Sequence, residues 1–300
     1  MTILITGGTG FIGRALCKTL QKAGHSLTVL SRQSGKVAAL CGEGAVAISN
    51  LAELTPGDRF DAIINLAGEP IFGPRWTDRR KQLLWDSRVK LTEGLVKFVG
   101  TAEQKPAVLI SGSASGYYGD RGDVVVDENA VPGNDFGASL CLAWERAAQG
   151  AEQHGVRVCL LRTGLVIGRH GGFLQRMLPP FRLGLGGRIG DGRQWMSWIH
   201  LADHVAMTSM LLNSPQLSGA FNATAPNPVT NRAFTESLAR ALKRPAVLPV
   251  PAVFLRSALG EMAGLLLGGQ RVVPGRMLEA GFKFTFAALD DAIRDALAAG

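Results

Sequence analysis

Thr2-Ile3-Leu4-Ile5-Thr6-Gly7-Gly8-Thr9-Gly10-Phe11-Ile12-Gly13 is the stretch whose reading decides the fold. Its first five residues, apolar or β-branched, read as a buried strand. The run from Phe11 to Ala23, with Leu16, Leu20 and Ala23 on one face, reads as a helix. Between them Gly7, Gly10 and Gly13 recur at every third position. A strand that turns through glycines straight into a helix leaves the first helical N–H groups without partners and the positive end of the helix dipole open. Gly7 permits the turn, Gly10 lets main chain approach a ligand, and Gly13 lets the helix lie close to the strand. Glycines alone also mark plain turns. Placed between a strand and a helix, they form a cradle for the pyrophosphate of a dinucleotide.

Working outward, strand signals at Ser26–Ser31, Asp61–Leu66, Val108–Ser111 and Val156–Arg162 alternate with helical stretches at Asp78–Val99 and Ser139–His154. Such alternation predicts an α/β fold, a doubly wound parallel Rossmann sheet whose loops gather ligands at one edge. The second half differs. Gly168 to Gly192 carries the loop signals Pro179-Pro180 and Gly186-Gly187. Beyond it the pattern predicts a helix over His200–Leu212 and a further strand over Gly219–Ala223. It then predicts a helix over Asn231–Leu242, an extended segment over Val247–Pro251, and a terminal helix over Leu289–Ala298. The expected division is a Rossmann domain of residues 1–167 and 198–224, with a smaller interleaved C-terminal substrate lobe of residues 168–197 and 225–300.

Apolar residues make up 46% of the 300 and charged ones 19%, which excludes a disordered chain. The formal net charge of +8 suits an anionic ligand. No long basic run or interleaved aromatic platform supports nucleic acid as a partner. Cys17, Cys41, Cys141 and Cys159 are scattered, without CxxC spacing, and read as reduced thiols; no metal site is expected. The first strand opens at once, leaving no leader, and the apolar stretch from Ala252 to Leu267 is interrupted by Arg256 and Glu261. A soluble, cytoplasmic protein is expected.

The end of the second strand decides which dinucleotide. A site for NAD usually places an acidic residue there, bonding the ribose 2′-hydroxyl. Here the chain reads Ser31-Arg32-Gln33-Ser34, with Lys36 following. The planar guanidinium of Arg32 is suited to clamp a 2′-phosphate. NADP(H) is the expected cofactor, with Gly7, Thr9, Gly10, Phe11, Ile12, Gly13, Ser31 and Arg32 as its first contacts.

With these residues the chain resembles the short-chain dehydrogenase/reductase superfamily, on its extended epimerase/dehydratase side. The resemblance rests on Thr6 to Gly13, on Asn65-Leu66-Ala67-Gly68, and on the run from Ser111 to Gly119. Leu161-Arg162-Thr163-Gly164 and Trp198-Ile199-His200-Leu201-Ala202-Asp203 complete it. The segments Gly190 to His200, Gly268-Gly269-Gln270-Arg271 and Glu279-Ala280-Gly281-Phe282 narrow it to the atypical group called epimerase family proteins. The resemblance implies that Asn65, Leu66, Ala67 and Gly68 line the ribose side of the cofactor and Thr163 and Gly164 its nicotinamide side.

The superfamily's chemistry uses a serine or threonine and a Tyr-x-x-x-Lys pair. The tyrosine should fall at Phe136 or Gly137 and the lysine at Leu140 or Cys141; neither is present. What remains for catalysis is Ser113, at the family's serine position, with Tyr117 or Tyr118 as proton donor. The alternative is that serines cap the strand end and tyrosines wall the pocket. Arg88 reads as a cofactor or substrate phosphate contact, or as a solvated helix face. Arg193, Trp195, Ser197 and Trp198 read as a substrate cleft. His200 reads as structural, with Asp203 assisting a helix start. Two functions follow: an NADP(H)-dependent epimerase or oxidoreductase acting on a small polar molecule, neutral or anionic, or a non-enzymatic NADP-binding regulator. The resemblance connects the latter with cell or organelle division.

Overall fold

The computed structural model describes residues 1–169 and 171–298, and its centre is a sheet of seven strands, all parallel. In chain order these are β1 (Thr2–Thr6), β2 (Ser26–Leu30), β3 (Val46–Ile48), β4 (Ala62–Asn65), β5 (Val108–Ala114), β6 (Arg157–Thr163) and β7 (Gly219–Ala223). They lie in the order β3-β2-β1-β4-β5-β6-β7. The order reverses between β1 and β4, and a sheet of this kind opens a crevice at the carboxyl ends there. Alternation along β1 shows why the strand is apolar throughout. Ile3 and Ile5 join the helix Phe11–Lys22 and strand β2 in one core, while Leu4 joins Ile63, Leu109 and the helix Leu91–Thr101 in the other. Ala23, expected on the helix's apolar face, is exposed and lies just past the helix end.

The expected helix from Asp78 to Val99 is interrupted. Regular α-helix over Asp78–Trp85, capped by the Thr77 hydroxyl, widens into one π-helical turn over Asp86–Lys90 before Leu91–Thr101 resumes. Arg88 lies in that turn. The helix expected from Ser139 begins earlier, at Phe136, because the Asp135 carboxylate accepts the Ala138 N–H at 2.7 Å.

Within the stretch read as loop, Gly172–Arg182 is a helix with Pro179 and Pro180 in its last turn. Each proline lacks an N–H but keeps its carbonyl, and these accept from Leu183 and Leu185. Burial of Leu174 and Phe181 outweighs the lost bonds. That helix joins a third core with Ile167, Trp198, Phe234, Leu238 and Ile293, drawn from separate parts of the chain. The apolar stretch near Ala252 forms short pieces, Ala252–Leu259, Gly260–Ala263 and Gly264–Leu267. Among the described residues no helix is long and apolar enough to cross a membrane.

Trp198, expected at the substrate cleft, is instead fully enclosed in this third core, where its indole N–H donates to the Asn227 carbonyl at 3.0 Å. Trp198→Ala is therefore expected to lower the unfolding free energy by about 3–5 kcal/mol, the usual cost of emptying a large aromatic site. Urea titration of the variant beside the unaltered protein measures it.

Candidate active site

The glycine turn is tight for stereochemical reasons. Gly7 has φ of +70°, and a Cβ there would stand 2.6 Å from the Leu66 carbonyl carbon. A Cβ on Gly13 would stand 2.2 Å from the Gly7 oxygen, so helix and turn touch main chain to main chain. Gly10 donates its N–H to Gly7 O at 2.9 Å and faces outward. No side chain caps this helix and no acidic residue occupies its first turn. The N-terminal N–H groups are thus open to an anion. This bare, glycine-floored cradle fits a dinucleotide pyrophosphate.

From the cradle a cleft of about 1120 Å³ runs along the carboxyl edge of the sheet. Gly7, Gly10, Phe11, Ile12, Gly13 and Leu66 line it at one end. Gly68, Arg88, Ser113, Thr163 and Gly164 continue the wall, and Trp195 and Ser197 enter from the C-terminal side. Typical ligand pockets occupy roughly 300–1,000 Å³, so this one has room for a cofactor and a second molecule.

Other expected residues stand beside the cleft rather than in it. Asn65 is buried and bonded on every side: its Oδ1 accepts from Thr6 Oγ1 at 2.6 Å, and its amide donates to Thr92 and Ser111. It ties strand ends together instead of lining the ribose side. The Ala67 N–H donates to Thr6 Oγ1 at 3.2 Å. Thr9 Oγ1 and Ser31 Oγ lie 3.2 Å apart, joining the glycine loop to the end of β2. Arg32 is exposed, with its guanidinium 3.1 Å from a Glu69 carboxylate that Arg80 also approaches at 3.4 Å. A carboxylate therefore does stand near the end of β2, supplied by the loop after β4, where sequence distance hid it. Two cations surround it, so the local balance stays positive. Arg193 is exposed and outside the cleft, its N–H held by Asp191.

Neither tyrosine reaches the cleft. The short turn Ser115–Tyr118 carries both rings under Arg162, whose guanidinium lies 3.5 Å from the centre of Tyr117. The Tyr118 hydroxyl donates to Asn222 Oδ1 at 2.6 Å and accepts from Arg162 at 3.0 Å, and burial pushes its phenol up to about 12. This proton is committed elsewhere. Ser113 does face the cleft, and its Oγ donates to Glu145 Oε1 at 2.6 Å. Glu145 in turn receives two parallel bonds from Arg162, both 2.9 Å. Glu145 and Arg162 form the part of the site that sequence reasoning missed. The signal was present as a carboxylate on a largely apolar helix and an arginine ending an apolar strand.

The helix Phe136–Gln149 turns Phe136, Gly137, Leu140 and Cys141 toward the cleft, at the positions where tyrosine and lysine were sought. Burial pushes the Cys141 thiol up to about 12, which keeps it neutral. Arg88 runs beneath Gly68, with its guanidinium over Trp144 at 5.4 Å and bonded to the Glu69 carbonyl at 2.9 Å. Gly164 is required where it stands, since a Cβ would meet Ser197 O at 2.5 Å. His200 is remote from this chemistry. Its Nδ1 accepts from Ala202 N at 3.2 Å and so caps the helix Leu201–Asn213. Asp203, expected to aid that start, instead holds the N–H groups of Thr285 and Phe286.

Residues 3–223 match the model of the NAD dependent epimerase/dehydratase family. The chain belongs to that family. Residues 250–296 match a second model, described as a domain of unknown function. The chloroplastic SDR39U1 homologue of Arabidopsis thaliana, an epimerase family protein, is 39% identical, over 98% of this chain and 86% of that one. The crystal structure of human epimerase family protein SDR39U1 (isoform 2) with NADPH is 34% identical, with a TM-score of 0.89 and 99% of both chains covered. A nucleoside-diphosphate sugar epimerase from Corynebacterium glutamicum is 32% identical with a TM-score of 0.78, covering 99% of this chain and 58% of that one.

Beneath the cleft, Thr163 Oγ1 lies 3.1 Å from Nε2 of His204, a fully enclosed ring whose pKa burial lowers from 6.5 to about 4. The folded protein therefore holds this histidine neutral, while the unfolded chain takes up a proton below 6.5. Stability is expected to be level in this respect above pH 6.5 and to fall as pH drops from there towards 4. His204→Gln should flatten that part of the profile, measured by denaturant unfolding at stepped pH.

Proposed function

We propose that this protein is an NADPH-dependent oxidoreductase of the extended short-chain type, acting on a small carbonyl or hydroxyl compound. One observation carries the reading: the glycine cradle and the Ser113–Glu145–Arg162 chain open into the same cleft. The human relative determined with NADPH supports the choice of cofactor. Gly7, Gly10 and Gly13 would hold the pyrophosphate on bare main chain, and Arg32 would meet the 2′-phosphate by exchanging its contact with Glu69. When bound, the nicotinamide supplies or accepts the hydride that interconverts a carbonyl and an alcohol.

The chain's own contribution is proton handling and orientation. With its hydrogen committed to Glu145, Ser113 offers lone pairs to the cleft. A substrate hydroxyl can give its proton to Ser113 Oγ as the serine proton moves to Glu145 Oε1; in the reverse direction the proton on Glu145 returns to Ser113 Oγ as the serine gives its own to a carbonyl oxygen. Arg162 holds Glu145 in place by two parallel bonds, the orienting role that the missing lysine cannot fill. Arg88, stacked over Trp144, keeps a fixed positive charge beside the helix that bears Phe136 and Leu140. A second reading is a cofactor-binding regulator without turnover, favoured by the phenylalanine and leucine at the tyrosine and lysine positions.

Calorimetric titration should find NADPH bound about tenfold or more tighter than NADH, with Arg32→Ala removing most of the difference, as for a charge-assisted contact. Equal affinity for the two cofactors would overturn the NADP assignment. Ser113→Ala should reduce turnover by ~10²–10⁴-fold, the range for a lost acid–base group, with NADPH affinity unchanged. No turnover by the unaltered protein, with NADPH bound, favours the regulator.

A further inference from the structure

The half of the cleft beyond the glycine cradle is walled by apolar side chains from three separate elements. Ile71 and Trp76 come from the segment after β4, Phe136 and Leu140 from the helix Phe136–Gln149, and Leu265 and Leu266 from the C-terminal side. Trp76 and Phe136 meet edge to face at 5.0 Å, making one continuous aromatic surface.

Most of the uncharged polar groups in this wall are already satisfied by the protein. The Trp76 indole N–H donates to Ile71 O at 3.2 Å, and that of Trp144 to Thr92 Oγ1 at 3.1 Å. Both rings thus present carbon rather than nitrogen. Gln194 gives its amide to the carbonyls of Ile189 and Leu266, at 3.0 and 2.9 Å. Ser197 Oγ donates to Gln270 O and accepts from Val272 N, at 2.7 and 2.9 Å. Thr163 is paired with His204 and Asn231 with Ile189. A polyhydroxylated ligand would find few uncharged partners here, and each hydroxyl left unpaired would weaken binding roughly tenfold.

Charge points the same way. Besides Arg88, which is occupied by the carbonyls of Leu84 and Glu69, the described residues place one cation in the cleft wall, Arg256. One guanidinium does not neutralise a diphosphate. The polar groups of the wall that remain open, wholly or in part, are the Ser113 oxygen, Ser115, the Gln270 side chain and the carboxylates of Asp120, Asp135 and Glu261, whose negative charge opposes a diphosphate.

From this distribution we infer that the second ligand of the cleft is an apolar carbonyl compound, an aryl ketone or quinone with its oxygen toward Ser113, and not a sugar nucleotide. The inference rests on the oxidoreductase reading for the presence of NADPH in the other half, and it departs from the expectation of a small polar substrate.

Binding separates the two statements. The protein is titrated calorimetrically with 2-acetonaphthone and with UDP-glucose, both alone and after loading with NADPH. The expected result is a preference of about a hundredfold or more for the ketone, the sum of two or more unpaired groups. Phe136→Asn and Leu266→Asn, on opposite walls, should each weaken the ketone about tenfold, with NADPH affinity within twofold. The inference is overturned if UDP-glucose binds as tightly as the ketone. It is overturned too if the ketone fails to bind protein loaded with NADPH, or if both variants bind it as the unaltered protein does. Failure of NADPH to bind strikes the cofactor reading instead, and the titration without cofactor then decides the ligand class.

Discussion

Arg162 and Glu145 meet at two parallel 2.9 Å bonds with scarcely any solvent contact, and much of the site hangs from that pair. Burying either ion alone is costly, and truncating one partner of such a pair costs about 3–5 kcal/mol. Each ion also organises neighbours. Glu145 receives the Ser113 hydrogen. Arg162 covers Tyr117 and bonds both the Tyr118 hydroxyl and the Glu128 carbonyl. Tyr118 reaches Asn222, and Glu128 carboxylate oxygens accept from the main chain of Asn222 and Arg276. One ion pair therefore joins the ends of β5, β6 and β7 to the segment near residue 128 and to the C-terminal part of the chain. The tyrosines belong to this scaffold, which explains why they are buried beside Ser113 without sharing its cleft.

The cofactor half of the cleft follows a different rule. Its surface is main chain, kept bare by glycines whose added carbons would strike neighbouring backbone. Such a surface recognises a pyrophosphate by N–H groups and the helix dipole, with little dependence on side chains. The other half is built from side chains drawn from distant parts of the sequence. Binding of a common cofactor is thus a local property of the first residues, and choice of the second ligand is a property of the whole fold.

That contrast also explains what the sequence made legible. Strand β1, the glycine turn and the helix after it are contiguous, and period-two and period-3.6 patterns identify them directly. The strand Gly219–Ala223 and the helix Asn231–Leu242 were read to the residue. The helix Gly172–Arg182 was hidden because two prolines signal a loop, and only packing against Phe234 and its neighbours reveals why they are tolerated. Chain proximity misled at Tyr117 and Tyr118, since it fixes where a main chain passes but not where a ring points. Glu69 was invisible at Arg32 for the opposite reason, being 37 residues away. Compartment is not written in the fold either, for a chloroplastic relative, 39% identical, aligns with 98% of this chain.

The π turn at Asp86–Lys90 holds one residue more than regular winding needs, and its wider circuit takes that residue up without turning the helical pieces on either side. Removing one residue there would restore regular winding and leave both flanks facing as they do. The loss would be local. Arg88, which lies beneath Gly68, over Trp144 and against the Glu69 carbonyl, would lose the widened turn that carries it. The surplus residue therefore serves placement of one guanidinium and not the continuity of the helix.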